Sequence, residues 1–287
     1  MRVLMFGWEL PPHNSGGLGV ACYNLAKALC EKNTEVIFVL PQKCDDISSD
    51  HFRVIFASDA VKVVGIRSPL IPYLTAERYT ELLARGELGS FGDTLKDEVM
   101  RYGAEAKRIA QHERFDVIHA HDWLSFPAGV AAKRVSGKPL IAHVHATEFD
   151  RTGGQGVNPE VYEIEKWGME QADKVVAVSR FTKEVIVAKY GIASEKVEVV
   201  HNAVDNAIAC GGNTLPFSLS GKSIVLFVGR MTLQKGPDYF VAAARKVLEQ
   251  EKNVVFVMAG DGDMYHAVIE QAARLGLAEH FLFTGFL

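Results

Sequence analysis

The chain has 287 residues, 48% hydrophobic and 23% charged, with a formal net charge of -4. That is an ordinary globular composition, and a chain of this length buries roughly 75% of its unfolded surface without covalent staples. The mild negative charge gives no footing for a nucleic-acid or membrane-surface partner, so an anionic ligand has to be met by local positive groups.

Cys22, Cys30, Cys44 and Cys210 show no CxxC spacing and read as free thiols of a reducing compartment. The apolar run after Met1-Arg2 is too short for a signal peptide, and no run approaches the roughly 20 residues of a membrane span. The expectation is a soluble, cytoplasmic protein.

Short apolar runs alternate with amphipathic stretches. Residues 2–6 read as a buried strand, followed by a Gly/Pro-rich loop and a helix opening at Gly16-Gly17, with Leu18, Cys22, Leu25 and Leu29 on one face. Further strands are expected at 35–40, 52–57, 61–66, 116–121, 139–145, 174–178 and 196–200. A more polar helical stretch covers 69–114, with Glu81/Arg85 and Asp97/Arg101 at supporting i,i+4 spacing. Strand–helix–strand repetition implies a parallel sheet covered on both faces.

Residues 202–221 break the pattern and read as a linker. A second unit then runs as strand 223–228, helix 237–250, strand 253–259, helix 263–275 and strand 281–284. Its helices bury Phe240, Ala244, Val247 and Leu248, then Met264, Val268, Ala272 and Leu275. Three parallel strands are about half of a six-stranded doubly wound domain, so the expected domains are 1–207, a linker at 208–221, and a cut-short domain at 222–287.

Ligands of open α/β sheets bind at the carboxyl ends of strands, where the chemistry-bearing residues of this chain cluster. Gly16 and Gly17 at a helix start let backbone N–H groups approach an anion, although the pattern is not GxGxxG; a ligand-free turn is the bland alternative. His119-Ala120-His121-Asp122-Trp123 and His143-Val144-His145 each place two imidazoles on one strand face. A metal site with Asp122 is conceivable, but HxHxDH is not matched and no metal is expected. In the second unit Gly229-Arg230 and Lys235-Gly236 bracket a loop that starts a helix, so two cations and a helix N-terminus could neutralise a diphosphate. Taken alone it reads as a solvated basic loop.

Together these motifs, with Val178-Ser179-Arg180 and His201-Asn202-Ala203-Val204-Asp205, resemble retaining glycosyltransferases of the GT-B architecture, especially glycogen synthases and related family-4 enzymes. The resemblance covers essentially the whole chain. It implies an α/β fold with one complete Rossmann-like doubly wound parallel-sheet domain on the acceptor side, plus the first half of a second that binds the nucleotide sugar.

It also implies roles. Gly16, Gly17 and Gly229 would lie against the donor diphosphate. Arg230 and Lys235 would stabilise the departing nucleoside diphosphate. His145 would sit by the donor sugar, and Asp122 would bond sugar or acceptor hydroxyls. Asn202 and Asp205 would end the first domain at the cleft. No protein nucleophile is implied, the leaving phosphate activating the acceptor hydroxyl.

The implied donor is ADP-glucose or UDP-glucose, the acceptor an α-glucan or other carbohydrate, with no cofactor, nucleic acid or membrane, and with room for a homo-oligomer. Ser15 stands where many glycogen synthases have Lys, which leaves the donor base open. The family's Glu-x7-Glu element is missing from the second unit. The only such pair, Glu105 and Glu113, reads as a solvated helix face, so the chain is expected to be inactive or nearly so as a synthase. Alternatives are a family-4 transferase with another donor or acceptor, a non-catalytic sugar-binding module, and a nucleotide-sugar epimerase.

Overall fold

The computed structural model describes residues 1–10, 17–42, 52–58, 61–68, 70, 76–85, 93–203 and 221–287. Two compact units are present: Met1–Glu148 with Val157–Asp205, and Phe149–Gly156 with Asn206–Leu287.

The first unit begins β1 (Arg2–Phe6), α1 (Gly17–Glu31), β2 (Glu35–Gln42), β3 (Phe52–Ser58), β4 (Val61–Arg67), α2 (Ala76–Ala84) and α3 (Leu95–His112). It continues with β5 (Val117–His121), α4 (Phe126–Ser136) and β6 (Leu140–Val144); α5 (Glu148–Arg151) begins the segment that belongs to the second unit, and the first resumes with α6 (Pro159–Gln171), β7 (Lys174–Ala177), α7 (Arg180–Tyr190) and β8 (Val197–Val199). Its eight strands lie in the order β3-β4-β2-β1-β5-β6-β7-β8.

Every described pairing is parallel except β3 with β4. Strand–helix–strand repetition alone predicts an all-parallel sheet, and the β3–β4 pair departs from it. Ser58 and Val61 are two residues from being contiguous, far fewer than a parallel crossover requires, so the strands form an antiparallel edge.

From β1 the chain winds outward through β2 and β4, then returns to build β5 on the other side of β1. The carboxyl ends of β1 and β5 therefore flank the topological switch point, where the crevice of such sheets opens. Leu4, Met5, Phe6, Phe38, Ile118 and Ala120 are wholly buried beneath it.

The polar helices differ from expectation in their ion pairs. Asp97 closes a capping box, its Oδ2 accepting from the Thr94 N–H at 3.1 Å and hydroxyl at 2.8 Å. Arg101 reaches back one turn to buried Glu98 (Nε···Oε2 2.8 Å), and Arg78–Glu81 and Arg108–Glu105 repeat that i,i+3 spacing. Glu113 lies beyond α3 as its C-cap, so it shares no helix face with Glu105.

The second unit contains β9 (Ser223–Val228), α8 (Pro237–Gln250), β10 (Val254–Ala259), α9 (Tyr265–Arg274) and β11 (Phe281–Gly285), its parallel sheet ordered β11-β10-β9. Central β10 is buried throughout. Val241, Ala244 and Leu248 make the inner face of α8, and Val247, expected there, is 39% exposed. Positions 241, 244 and 248 share one face at i, i+3 and i+7, which turns 247 outward. On α9 the buried pair is Val268 and Ala272, with Met264 and Leu275 partly covered beside them. No helix among the described residues is long and apolar enough to cross a membrane.

Candidate functional site

At the switch point, Trp8 follows β1 and donates from Nε1 to the His121 carbonyl across the sheet at 2.8 Å. Its ring meets Trp123 edge-on at 6.3 Å. The carboxylate of Glu9, 2% exposed, accepts from the Gly19 N–H at 2.9 Å. An anion of the protein itself therefore occupies one of the orphan donors of the α1 N-terminus. The glycine pattern points to a diphosphate at that terminus and carries no sign of Glu9 there. Gly17 is exposed with nothing within 4 Å of a would-be Cβ, while Gly16 and Ser15 lie outside the described residues.

Asp122 sits in the left-handed region at φ 58, a conformation that short polar side chains tolerate. Its N–H donates to the His143 carbonyl at 2.9 Å. Its Oδ1 accepts from the His145 N–H at 2.7 Å and the Ala146 N–H at 3.4 Å. Asp122 thus clips the end of β6 to the end of β5. Ser125 secures the same corner, its hydroxyl donating to the His121 carbonyl at 2.6 Å.

Behind this corner the four histidines form a two-by-two array. His119 stacks on His121 at 4.4 Å and His143 on His145 at 4.2 Å, following the two-residue period of each strand. Two ring–ring hydrogen bonds cross between strands: His119 Nε2 with His143 Nδ1 at 3.1 Å, and His121 Nδ1 with His145 Nε2 at 3.0 Å. The Nε2 atoms of His121 and His143 are buried with no partner among the described residues.

Burial, and then the neighbouring imidazoles, push all four titrations down, His119 and His145 from 6.5 to about 3. The rings are therefore neutral. Cys22, whose thiol burial and the nearby Asp122 and Glu9 carboxylates hold protonated, lies with His121 and His145 within 4.8 Å of one another by their ligand atoms; His119, His121 and His143 form a second such group. The cross-strand bonds engage one nitrogen of each ring, and the rings stack in pairs along each strand.

In the second unit Gly229 follows β9 at φ 151 and donates to the Ala259 carbonyl at 3.0 Å. Buried Met231 anchors the loop, its N–H bonding Asp261 O and its carbonyl accepting from the Met264 N–H, both at 2.9 Å. Residues 233–235 make a single 3-10 turn, and Gly236 at φ 61 caps α8, with Pro237 as its first residue. Arg230 is half-buried and Lys235 exposed, so both cations sit on the loop between β9 and α8 as the spacing implied. Asp238 in the first turn of α8 adds a carboxylate at the helix N-terminus, its Oδ1 buried without a partner.

Of the expected site residues, His145 and Asp122 come together in the first unit, and Gly229, Arg230 and Lys235 in the second. Asn202 is exposed beside His201, whose Nδ1 lies 3.0 Å from the Val178 carbonyl oxygen. Asp205 falls outside the described residues.

Residues 15–207 match the family described as Glycosyltransferase Family 4, and residues 217–287 match Glycosyl transferases group 1. The glycogen synthase of Mycobacterium tuberculosis is 25% identical over 296 residues, spanning 100% of this chain and 68% of that protein. Among solved structures, sucrose-phosphate synthase from Thermosynechococcus elongatus aligns with a TM-score of 0.72 at 15% identity, covering 100% of this chain and 70% of its own. Anabaena Alr3699/HepE in complex with UDP and glucose aligns at 0.64 and 17% identity, covering 100% and 70%. The expected α/β fold of GT-B type is the fold these likenesses show.

Proposed function

We propose that this chain, which belongs to glycosyltransferase family 4, serves the transfer of glucose from ADP- or UDP-glucose to an α-1,4-glucan with retention of the anomeric configuration, and that without the Glu-x7-Glu element the chain by itself is inactive or nearly so. The observation that carries the reading is the whole-chain similarity to a glycogen synthase, which runs through both units. The fold shared with a structure holding UDP and glucose fits the same chemistry. No cofactor beyond the nucleotide sugar is required by it.

In this reading the first unit presents His145 to the donor sugar. A neutral ring there provides hydrogen bonding without adding positive charge beside an oxocarbenium-like carbon. Arg230 and Lys235 on the β9–α8 loop face the leaving diphosphate, whose charge grows as the glycosidic bond breaks. The guanidinium supplies a planar bidentate grip and the ammonium a mobile point charge. Gly229 leaves room for phosphate oxygens at the end of β9, and Gly17 opens α1 with nothing within 4 Å of a would-be Cβ.

Titration calorimetry of the purified chain with UDP, ADP, UDP-glucose and ADP-glucose tests donor recognition independently of turnover. Transfer of labelled glucose to glycogen, with the product anomer read by NMR, tests the reaction in the active enzyme, and robust turnover by this chain alone would overturn its expected inactivity. Recognition of neither nucleotide, or a β-linked product, would sink the reading.

A further inference from the structure

Every hydrogen bond between neutral imidazoles has one donor and one acceptor, so the His121–His145 contact exists in one of two polarities. If His145 donated, His121 would carry its own proton on Nε2, which is buried without a partner. That leaves an orphaned N–H in the core, the rarest kind of unsatisfied backbone or ring group. If His121 donates from Nδ1, its Nε2 holds only a lone pair.

The second bond repeats the construction. His143 reaches His119 through Nδ1, and again the inner ring's Nε2 is the buried atom without a partner. Both inner rings therefore have the same reason to donate outward through Nδ1.

We infer that His121 is a positioning residue that fixes the tautomer of His145: the Nδ1–H of His121 donates to His145 Nε2, so His145 carries its proton on Nδ1 and offers a ligand a donor only. The geometry is held from both ends. Asp122 grips the His145 backbone N–H at 2.7 Å while His121 grips its ring at 3.0 Å. Among the described residues the Nδ1 of His145 makes no hydrogen bond, and it is not one of the buried atoms without a partner. It would select an oxygen acceptor, a sugar hydroxyl or ring oxygen, over a protonated amine. The recognition half of this inference rests on the function proposed above; the tautomer does not.

Long-range proton–nitrogen NMR on the 15N-labelled chain reads the tautomer directly, with His145→Gln assigning the signal. The expected spectrum shows His145 protonated at Nδ1 and bare at Nε2. His121→Phe should abolish the single tautomer and weaken binding of UDP-glucose or ADP-glucose by about tenfold, the worth of one neutral hydrogen bond. His121→Asn, whose amide N–H stands near the position of Nδ1, should restore both, which a role in packing alone would not predict. A parent chain with His145 protonated at Nε2, or a His121→Phe spectrum unchanged at His145, overturns the inference. If the spectra are as expected but no nucleotide sugar is bound, the functional reading falls and the tautomer assignment stands.

Discussion

Gly260 lies so close to Gly229 that a Cβ on Gly260 would sit 1.9 Å from the Gly229 carbonyl oxygen, a backbone atom that cannot turn aside. The contact ties the loop after β10 to the loop bearing Arg230. Gly260→Ala, at φ 141, combines this overlap with a conformation that side chains avoid and should destabilise the second unit by about 3 kcal/mol or more. Gly276→Ala is the contrast: φ is 69 but nothing lies within 4 Å, so only the left-handed cost of about 1–2 kcal/mol is expected. Urea melts of both variants measure the difference, and equal losses would show that the close approach is not rigid.

Acid should destabilise the first unit well before carboxylates titrate. The folded state holds His119 and His145 at about 3 against an ordinary 6.5, and His121 and His143 are lowered too. Between those limits the unfolded chain binds more protons, so stability is complete above pH 6.5 and falls as pH drops toward 3. Each ring kept neutral contributes a slope of about 1.4 kcal/mol per pH unit. Denaturant midpoints at pH 7.5, 6 and 5 test this; a midpoint that does not move would mean that the array is solvated.

Removing the Asp122 carboxylate should unfasten the ends of β5 and β6. Asp122→Ala is expected to cost about 1.5–3 kcal/mol, the range for hydrogen bonds to a charged group, with extra strain at φ 58. Asp122→Asn keeps an oxygen acceptor and tolerates that φ, so it should cost less than half as much. Chemical denaturation decides it, and an Asn variant as weak as the Ala variant would point to charge, not the clip.

Arg230 and Lys235 should act on the transition state. In the enzyme assayed for glucosyl transfer, Arg230→Ala or Lys235→Ala should lower kcat by about 10²–10³, the loss seen when one preorganised oxyanion donor is removed. Arg230→Lys should recover only part, lacking the bidentate fork. Lys246→Ala on the exposed face of α8 is the control; Asp97, in the capping box of α3, would confound stability with rate. Alanine variants that keep kcat and raise only the donor KM would make the loop a binding handle.

The alternation of apolar runs was enough to place the described strands and helices α1, α8 and α9, because buried parallel strands and amphipathic helices differ in period and length. β1, β9 and α8 end on the residues that the pattern indicated. Local chemistry also located the cations of the β9–α8 loop. The direction of β3 and the choice of Val241 over Val247 depended on loop length and helix phase, which hydrophobicity alone weighs poorly.

Sequence by itself determined the fold class and which residues stand at strand ends. Only the tertiary structure decided their partners. Glu9 and Gly19 are ten residues apart, yet the carboxylate meets the helix because β1 ends beside α1. His121 and His145 are separated by 24 residues and bond because β5 and β6 are neighbours in register. Strand order is a long-range property of packing, so no reading of local periodicity could tell that four histidines share hydrogen bonds, or which nitrogens were left bare.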